Sequence, residues 1–380
     1  MSASQRSSAW VAAALLATLG CSSKSNVTPA VDAAGQTADA TPDVNQEASP
    51  SDGPAVDAAS CGAGTIFCNG VCLQQGQTAG GCTAMTLGPD VFSIALAGPY
   101  LYFSLIETEL KRMPVAGGTI EHVSFDRSND LIGNATHLYL YRDVFLDQPR
   151  MIQRLAVAGG AAMDLGKPPL TPTAFTIDGS NVYFVTEGGF NGVDDVNGPA
   201  VYQLALGGGA ATAIGIAVKP NWIAADATHV YWGDAGFVWR TPKATAGTTP
   251  LGDGGADAGG ATQVIDTRTS STATSFAIDD QFVYWTRPDG TLLRAPKAGG
   301  GTEEVIATDK DFPLGHLATD DADVYVATHS YGPANRLLRY HKADRSTKVM
   351  ATTGKLSNRV LLDGSAVYLG SLEGVLKVTK

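Results

Sequence analysis

A single unit recurs seven times along this chain. Each copy is centred on a tyrosine inside an apolar triplet, and the seven are Tyr102, Tyr139, Tyr183, Tyr231, Tyr284, Tyr325 and Tyr368. Eight residues before each tyrosine stands an aliphatic residue or phenylalanine, and five residues before six of them stands Asp or Asn. The spacing runs from 37 residues (Tyr102 to Tyr139) to 53 residues (Tyr231 to Tyr284). A repeat of this period outweighs any local signal in deciding the fold.

The internal pattern of the unit predicts four short antiparallel strands. An alternating apolar run predicts the first strand, Asp or Asn starts a tight turn, and the tyrosine triplet predicts the second. A third run such as 292–294 precedes a Gly-Gly turn, and 304–307 is a fourth. Seven such units predict an all-β protein, a β-propeller of seven four-stranded blades. The last unit ends after its third strand, so we expect 83–87 to complete it and close the ring.

Two copies resemble the YWTD repeats of low-density-lipoprotein-receptor-type propellers. They are Val283-Tyr284-Trp285-Thr286, followed by Gly290, and Val230-Tyr231-Trp232-Gly233-Asp234. The resemblance covers roughly residues 90–380 and implies a propeller fold. Propellers of that family have six blades, whereas this chain has seven units. Bacterial lipoproteins carry similar propellers, and the resemblance implies no particular partner.

Residues 1–20 are typical of a bacterial export signal. Arg6 precedes an apolar run, 9–19, which is too short to span a bilayer but suits a signal peptide. Thr18-Leu19-Gly20-Cys21 resembles a lipobox, which implies that acyl chains on Cys21 hold the protein to a membrane. Ser22 is not Asp, which implies the outer membrane, at its periplasmic face or the cell surface. In the alternative, the signal is an ordinary cleaved one and Cys21 is incidental.

Residues 21–60 are predicted to be a disordered tether. Positions 22–60 contain no aromatic residue, and six acidic residues stand there against Lys24 alone. Such a segment buries too little apolar surface to offset its ordering entropy.

A small Cys-rich segment, 61–82, is predicted between this tether and a propeller at 83–380. Its cysteines are Cys61, Cys68, Cys72 and Cys82. In an exported chain, four cysteines predict two disulfides, with three possible pairings. Zinc is the alternative, but no pair has the C-x2-C spacing of a zinc knuckle.

Three loops interrupt the repeat and are candidate ligand-binding segments. Recognition in propellers often lies in long loops on one rim. One of these loops is glycine-rich, 251–260, and the named candidates in the other two are Glu187, Asn191, Asp194, Asp195, Asn197, Tyr331 and Asn335. The oxygens of the first group would suit Ca²⁺, but the order of an EF-hand loop is missing, so a solvated acidic loop is the alternative.

No residue is assigned as catalytic or as a metal ligand, and no cofactor is expected. Neither a His-Glu-x-x-His nor a Gly-x-Ser-x-Gly motif occurs. The formal charge of −11 argues against a nucleic-acid groove. One arginine recurs in five third strands and is expected to pair with the turn Asp of its own or the next blade: Arg112, Arg154, Arg240, Arg294 and Arg339.

These patterns predict a lipid-anchored propeller of the cell envelope. We expect a non-enzymatic binding or scaffold module with a protein or glycan partner. The alternative is a propeller enzyme (a hydrolase, lyase or dehydrogenase) with a site in the central channel. The chemistry of the channel-facing residues distinguishes the two.

Overall fold

The computed structural model describes residues 61, 65–87, 91–105, 109–124, 128–142, 151–186, 200–217, 220–234, 237–243, 262–266, 275–311, 313–329, 335–354, 357–371 and 373–380. By its internal contacts the chain divides into Met1–Asp52 and Gly53–Lys380, and all described residues belong to the second unit. The predicted signal peptide, Cys21 and the tether lie outside the described residues.

Every regular element in the described part of the chain is a β-strand, and no helix long and apolar enough to cross a bilayer occurs there. Four strands come first: β1 (Ile66–Cys68), β2 (Val71–Leu73), β3 (Thr78–Ala79) and β4 (Cys82–Leu87). Blade 1 contains β5 (Val91–Ala97), β6 (Tyr100–Leu105), β7 (Leu110–Pro114) and β8 (Glu121–Ser124). Blade 2 contains β9 (Ser128–Gly133), β10 (His137–Arg142), β11 (Met151–Ala156) and β12 (Met163–Gly166).

The next three blades repeat this order. Blade 3 contains β13 (Pro172–Ile177), β14 (Asn181–Thr186), β15 (Ala200–Ala205) and β16 (Thr212–Ile216). Blade 4 contains β17 (Pro220–Ala225), β18 (His229–Asp234), β19 (Phe237–Pro242) and β20 (Thr262–Asp266). Blade 5 contains β21 (Ser275–Ile278), β22 (Phe282–Thr286), β23 (Thr291–Pro296) and β24 (Glu304–Thr308).

Two blades complete the ring. Blade 6 contains β25 (Leu314–Thr319), β26 (Asp323–Thr328), β27 (Asn335–His341) and β28 (Thr347–Thr353). Blade 7 contains β29 (Ser357–Leu362), β30 (Ala366–Ser371) and β31 (Gly374–Thr379). Seven antiparallel sheets result, and the predicted seven-bladed propeller is confirmed.

The ring closes as the sequence predicts. Strand β4 pairs antiparallel with β31, from Gly374 opposite Leu87 to Val378 opposite Cys82, and becomes the outer strand of blade 7. The strand that precedes blade 1 and the last strand of blade 7 thus share one sheet. The edge of β31 is therefore covered rather than left as a template for association.

The Cys-rich segment lies on the outer rim of blades 6 and 7. Strand β1 joins the edge of blade 6, where Cys68 pairs with Thr353. Of the three possible pairings, the structure has Cys61–Cys72 and Cys68–Cys82. Ile66 and Leu73 pack into the same apolar cluster as residues of blades 6 and 7, so the segment shares a core with the ring.

Neighbouring blades pack face to face through the second strand of each unit. All seven repeat tyrosines are at most 1% exposed. Between blades 3 and 4, Tyr183 and Val201 meet Val230 and Trp232. Burial of these aromatic and β-branched side chains between sheets is the main source of stability for such a ring.

Candidate functional site

The strand order gives the ring two chemically different faces. The turns between first and second strands, and those between third and fourth strands, lie on one face, which we call the turn face. The connections between second and third strands, and from one blade to the next, lie on the other. Because the inner strands begin there, we call it the mouth face.

Each turn on the turn face is organised by one carboxylate. In blade 5, Asp279 Oδ1 accepts hydrogen bonds from the amides of Gln281 (2.8 Å) and Phe282 (2.7 Å). Its Oδ2 accepts from the Tyr284 hydroxyl at 2.7 Å and from Lys342 Nζ at 2.7 Å. The Asp side chain thus holds its own turn, the core tyrosine and the next blade together.

A lysine that follows the third strand joins each of four blades to the preceding one. The ion pairs are Lys243–Asp178 (2.6 Å), Lys297–Asp226 (2.8 Å), Lys342–Asp279 (2.7 Å) and Lys380–Asp320 (2.8 Å). Each of these lysines also donates to the backbone oxygen of its own blade's turn Asp: Asp226, Asp279, Asp320 or Asp363. The three remaining junctions have apolar side chains at the lysine position: Val115, Val157 and Leu206.

These contacts shift the pKa values of the turn Asp residues and of the tyrosines bonded to them. Burial alone raises the pKa of the Asp279 carboxyl, but Lys342 and the Phe282 amide outweigh it, so that the pKa is below its usual value. The pKa values of Asp178, Asp226 and Asp320 are lowered by the same balance. Burial, and then the hydrogen bond to Asp178, raise the pKa of Tyr183 to about 12. The turn carboxylates are therefore ionised and the tyrosines neutral near pH 7.

The repeated arginines do not fill the role that the sequence suggested. The partner of the turn Asp is the lysine, and three of the arginines bond to backbone oxygens of the next blade. Arg112 Nη1 donates to the Val157 carbonyl at 2.9 Å, and Arg154 Nη1 to the Leu206 carbonyl at 3.0 Å. Arg240 Nη1 donates to the Lys297 carbonyl at 2.9 Å, so these side chains brace the junctions.

Three arginines also pair with a carboxylate of their own blade. Arg112 pairs with Glu121 (2.8 Å), Arg294 with Glu304 (2.9 Å) and Arg339 with Asp323 (3.8 Å).

On the mouth face, one repeat position carries seven residues of very different chemistry. It stands nine residues before each tyrosine, and we call its residues the mouth ring: Ser93, Asp130, Ala174, Trp222, Ser275, His316 and Arg359. All seven line a central cavity of about 440 Å³. Every blade therefore contributes one residue to the lining of the same opening.

The charged residues of the mouth ring form one ion pair. Arg359 of blade 7 donates to Asp130 Oδ1 of blade 2, so the pair passes in front of blade 1. Asp130 also accepts from its neighbour, the Leu131 amide (3.0 Å), and from the Phe175 amide of blade 3 (3.4 Å). Three donors converge on this carboxylate, which fixes its position in the channel wall.

His316 lies beside this pair in blade 6. Its burial and the positive charge of Arg359, with a smaller effect of His329, lower the pKa of His316 to about 4. The imidazole is therefore neutral at pH 7. As a neutral ring it carries one donor and one acceptor nitrogen.

An aromatic pair occupies the opposite side of the channel. Trp222 of blade 4 stacks on Phe276 of blade 5, with ring centroids 3.6 Å apart and planes 10° apart. Gly233 makes this possible, because a Cβ at that position would lie 1.9 Å from Trp222 Cε2. The equivalent residue in blade 5 is Thr286, so the Gly in the second YWTD-like copy is the sequence signal that points to Trp222.

Most loop residues that the sequence proposed as ligand contacts lie outside the described residues: Glu187, Asn191, Asp194, Asp195, Asn197 and Tyr331. The strand ends that flank them, Thr186 with Ala200 and Thr328 with Asn335, are on the mouth face. The glycine-rich loop 251–260 joins β19 to β20, whose connected ends are on the turn face. The described strand ends that bound the three loops are therefore not all on one face.

Asn335 is the one proposed loop contact that the structure describes. It is the first residue of β27 and only 1% exposed. Its Nδ2 donates to the Gly354 carbonyl at 3.1 Å, and its Oδ1 accepts from Thr328 Oγ1 at 3.3 Å. Its side chain thus joins three strands of blade 6 inside the sheet.

Within the described part of the chain, no three His, Cys, Asp or Glu side chains come together as a metal site. The acidic loop considered for Ca²⁺ is outside that part.

The comparisons with known proteins show similarity of fold. No protein-family profile matches the chain, and no curated protein sequence matches it. Among solved structures, YCF48 from Cyanidioschyzon merolae is 13% identical, with a TM-score of 0.55 over 79% of this chain and 99% of that one. YCF48 bound to D1 peptide is 10% identical, with a TM-score of 0.55 over 79% and 96%. U3-55K is 9% identical, with a TM-score of 0.56 over 80% and 99%.

Proposed function

We propose that this chain is a ligand-binding protein of the bacterial cell envelope, with the mouth ring as its site. One observation carries the proposal. The repeat keeps its tyrosine in all seven blades and its turn Asp in five, but the mouth-ring position changes its chemistry from blade to blade. A scaffold position is expected to repeat, whereas recognition of an asymmetric ligand requires the symmetry to be broken.

The arrangement of the polar groups favours binding over acid–base catalysis. Among the mouth-ring residues there is one carboxylate, Asp130, and three donors hold it. A general base needs a carboxylate or imidazole that can reach substrate and exchange a proton near the working pH. Asp130 is instead placed to orient Arg359. YCF48, a propeller of similar fold, has been solved with D1 peptide bound, so ligand binding is compatible with this scaffold.

The proposal includes a lipid anchor at Cys21, with the outer membrane as its location. The apolar run before Gly20 and the acidic, aromatic-free stretch after Cys21 support it. A propeller on such a stalk would sample ligands near the membrane surface. Cys21→Ala should move the protein from the membrane fraction to the soluble fraction of lysed cells. Retention in the membrane fraction of variant chains whose signal peptide has been removed, as their mass shows, would exclude the anchor.

The binding role is tested by crosslinking the full chain in intact cells and quantifying crosslinked species by mass spectrometry. Arg359→Met should lower the yield of specific crosslinks at least tenfold, because it removes a mouth-ring donor and leaves Asp130 without its ion pair. Arg345→Met is the matched control, since Arg345 is exposed on the turn face, where it pairs with Glu304. Equal crosslink yields for both variants and the parent chain would contradict a site at the mouth.

A further inference from the structure

The mouth ring has an aromatic half and a polar half. Ala174, Trp222 and the neighbouring Phe276 lie together in blades 3, 4 and 5. His316, Arg359, Ser93 and Asp130 follow one another through blades 6, 7, 1 and 2. A ligand that fills the 440 Å³ cavity would therefore meet the rings of Trp222 and Phe276 on one side, with Thr173 and Asn221 next to them, and the hydrogen-bonding mouth-ring groups on the other. This volume is within the ~300–1,000 Å³ range of small-molecule sites.

Backbone amides of the inner strands point into this channel. In three blades the amide eight residues before the tyrosine donates to the mouth-ring side chain of the preceding blade. Leu131 N donates to Ser93 Oγ at 3.2 Å, Phe175 N to Asp130 Oδ2 at 3.4 Å, and Leu317 N to Ser275 Oγ at 3.1 Å. Inner-strand amides in the channel are thus capped by an oxygen wherever the mouth ring supplies one.

In blades 3 and 4 the mouth ring supplies no such oxygen. The equivalent amides in blades 4 and 5 are those of Ile223 and Phe276, which pair with their second strands in the same register as Leu131. The preceding mouth-ring residues are Ala174 and Trp222, and neither side chain contains an oxygen. A ligand with a carbonyl oxygen next to apolar carbon would satisfy both the amides and the wall there.

The polar half is electrically balanced. The charges of Asp130 and Arg359 cancel within their ion pair. His316 is neutral near pH 7 for the reasons given above. Ser93 in this half, and Ser275 of blade 5 at its border, use their oxygens as acceptors, and each hydroxyl still carries a proton to donate. These closely spaced donors and acceptors match a neutral ligand with several hydroxyl groups.

The geometry points to a neutral N-acetylated sugar residue as the ligand of the mouth ring, with its acetamido group in the aromatic half and its ring hydroxyls against the polar half. The acetamido methyl and carbonyl meet the apolar wall and the Ile223 and Phe276 amides. This inference rests on the proposed function and specifies its ligand. A peptide segment would also offer carbonyl oxygens, but its backbone presents fewer hydrogen-bonding groups to the polar half than the hydroxyls of a sugar ring do.

The test measures binding of two probes to the full-length chain by titration calorimetry. We expect methyl N-acetylglucosaminide to bind saturably and methyl glucoside, which lacks the acetamido group, to bind at least tenfold more weakly. Ala174→Ser should place a hydroxyl where it caps the Ile223 amide, as Ser93 caps Leu131, and lower the affinity for the first probe about tenfold. Ala343→Ser, on the exposed turn face, is the matched control and should leave the affinity unchanged.

Three results would overturn the inference. They are the absence of saturable binding of the acetamido probe, equal affinity for the two probes, and an unchanged affinity in Ala174→Ser when its melting temperature shows a folded chain. If these occur while Arg359→Met still abolishes the crosslinks, the ligand is of another class, such as a peptide, and the binding role stands. If Arg359→Met leaves the crosslinks intact as well, the proposed function fails with it.

Discussion

The turn face and the mouth ring are built from the same repeat but follow opposite rules. On the turn face, Asp, Tyr and Lys recur in the same roles, and four junctions have the same ion pair. In the mouth ring, one backbone position supplies two hydroxyls, a carboxylate, a methyl group, an indole, an imidazole and a guanidinium. The difference teaches that repetition in this chain records scaffold chemistry, and it is at the aligned position that departs from repetition that we propose recognition.

The largest effect that tests this comparison should come from a turn carboxylate. Asp279→Ala removes the acceptor for two amides, Tyr284 and Lys342, and leaves Lys342 without its ionic partner. We expect a loss of about 3 kcal/mol in the free energy of unfolding, measured by urea denaturation. Sugar-probe affinity of the folded protein should not change.

Asp363→Ala is the matched control for this experiment. Asp363 holds its turn and Tyr368 in the same way, but the lysine position of the next blade is Val115. We expect a loss in the free energy of unfolding that is about 1 kcal/mol smaller than in Asp279→Ala, because no cation is left unpaired. Equal losses in the two variants would show that the Lys–Asp pair contributes nothing to the junction.

A second prediction separates the two faces by pH. His316 has a lowered pKa in the folded protein, so its contribution to stability is full above its unfolded value of about 6.5 and declines as the pH falls towards about 4. The turn Asp residues have lowered pKa values too, so their contribution is present above their unfolded value of about 3.9 and is lost at lower pH.

Urea midpoints between pH 8 and pH 2 measure both contributions. His316→Asn should flatten the decline in stability between pH 6.5 and 4 and leave the decline below pH 4 unchanged. Lys342→Met should weaken the decline below pH 4, because it removes a cation that lowers the pKa of Asp279. If either variant changes the declines above and below pH 4 equally, the two faces do not titrate independently.

The smallest predicted effect comes from introducing the Lys–Asp ion pair at a junction that lacks it. Asn134 already accepts from the amides of Thr136 and His137, and Leu206 stands at the lysine position of blade 3. Asn134→Asp with Leu206→Lys should show a favourable coupling of about 0.5 kcal/mol in a double-mutant cycle. Zero coupling would mean that the geometry of this junction differs from that of the four ionic ones.

The sequence predicted the scaffold well because the scaffold repeats. Tyrosines aligned without gaps gave the seven blades, and the unfinished last unit indicated closure by 83–87. The repeat alignment does not reveal the lysines, because their distance from the tyrosine varies from 12 residues (Tyr231 to Lys243) to 17 residues (Tyr325 to Lys342). Residues in equivalent places of the fold do not align in the sequence where the loop between them varies in length.

The mouth ring could not be recognised from the sequence for a different reason. Its position is aligned without gaps, but seven residues of six kinds at that position show no pattern in the sequence. Their common place appears only when the inner strands are arranged around one axis. The neighbourhood of Asp130 and Arg359, 229 positions apart in the chain, is likewise a property of the closed ring. The disulfide pairing also required the packing of β1 beside blade 6.

The two disulfides give the ring a mechanical property. A pull on any residue ahead of Cys61 reaches Cys82 through the Cys61–Cys72 and Cys68–Cys82 bonds, so the segment 69–81 cannot be drawn out. The elements that carry the load are then β1, which pairs with β28 of blade 6, and β4, whose pairing with β31 completes blade 7. Tension applied ahead of Cys61 would therefore act on the two blades that flank the closure, and the force needed to detach β1 and β4 would set the force at which the propeller opens.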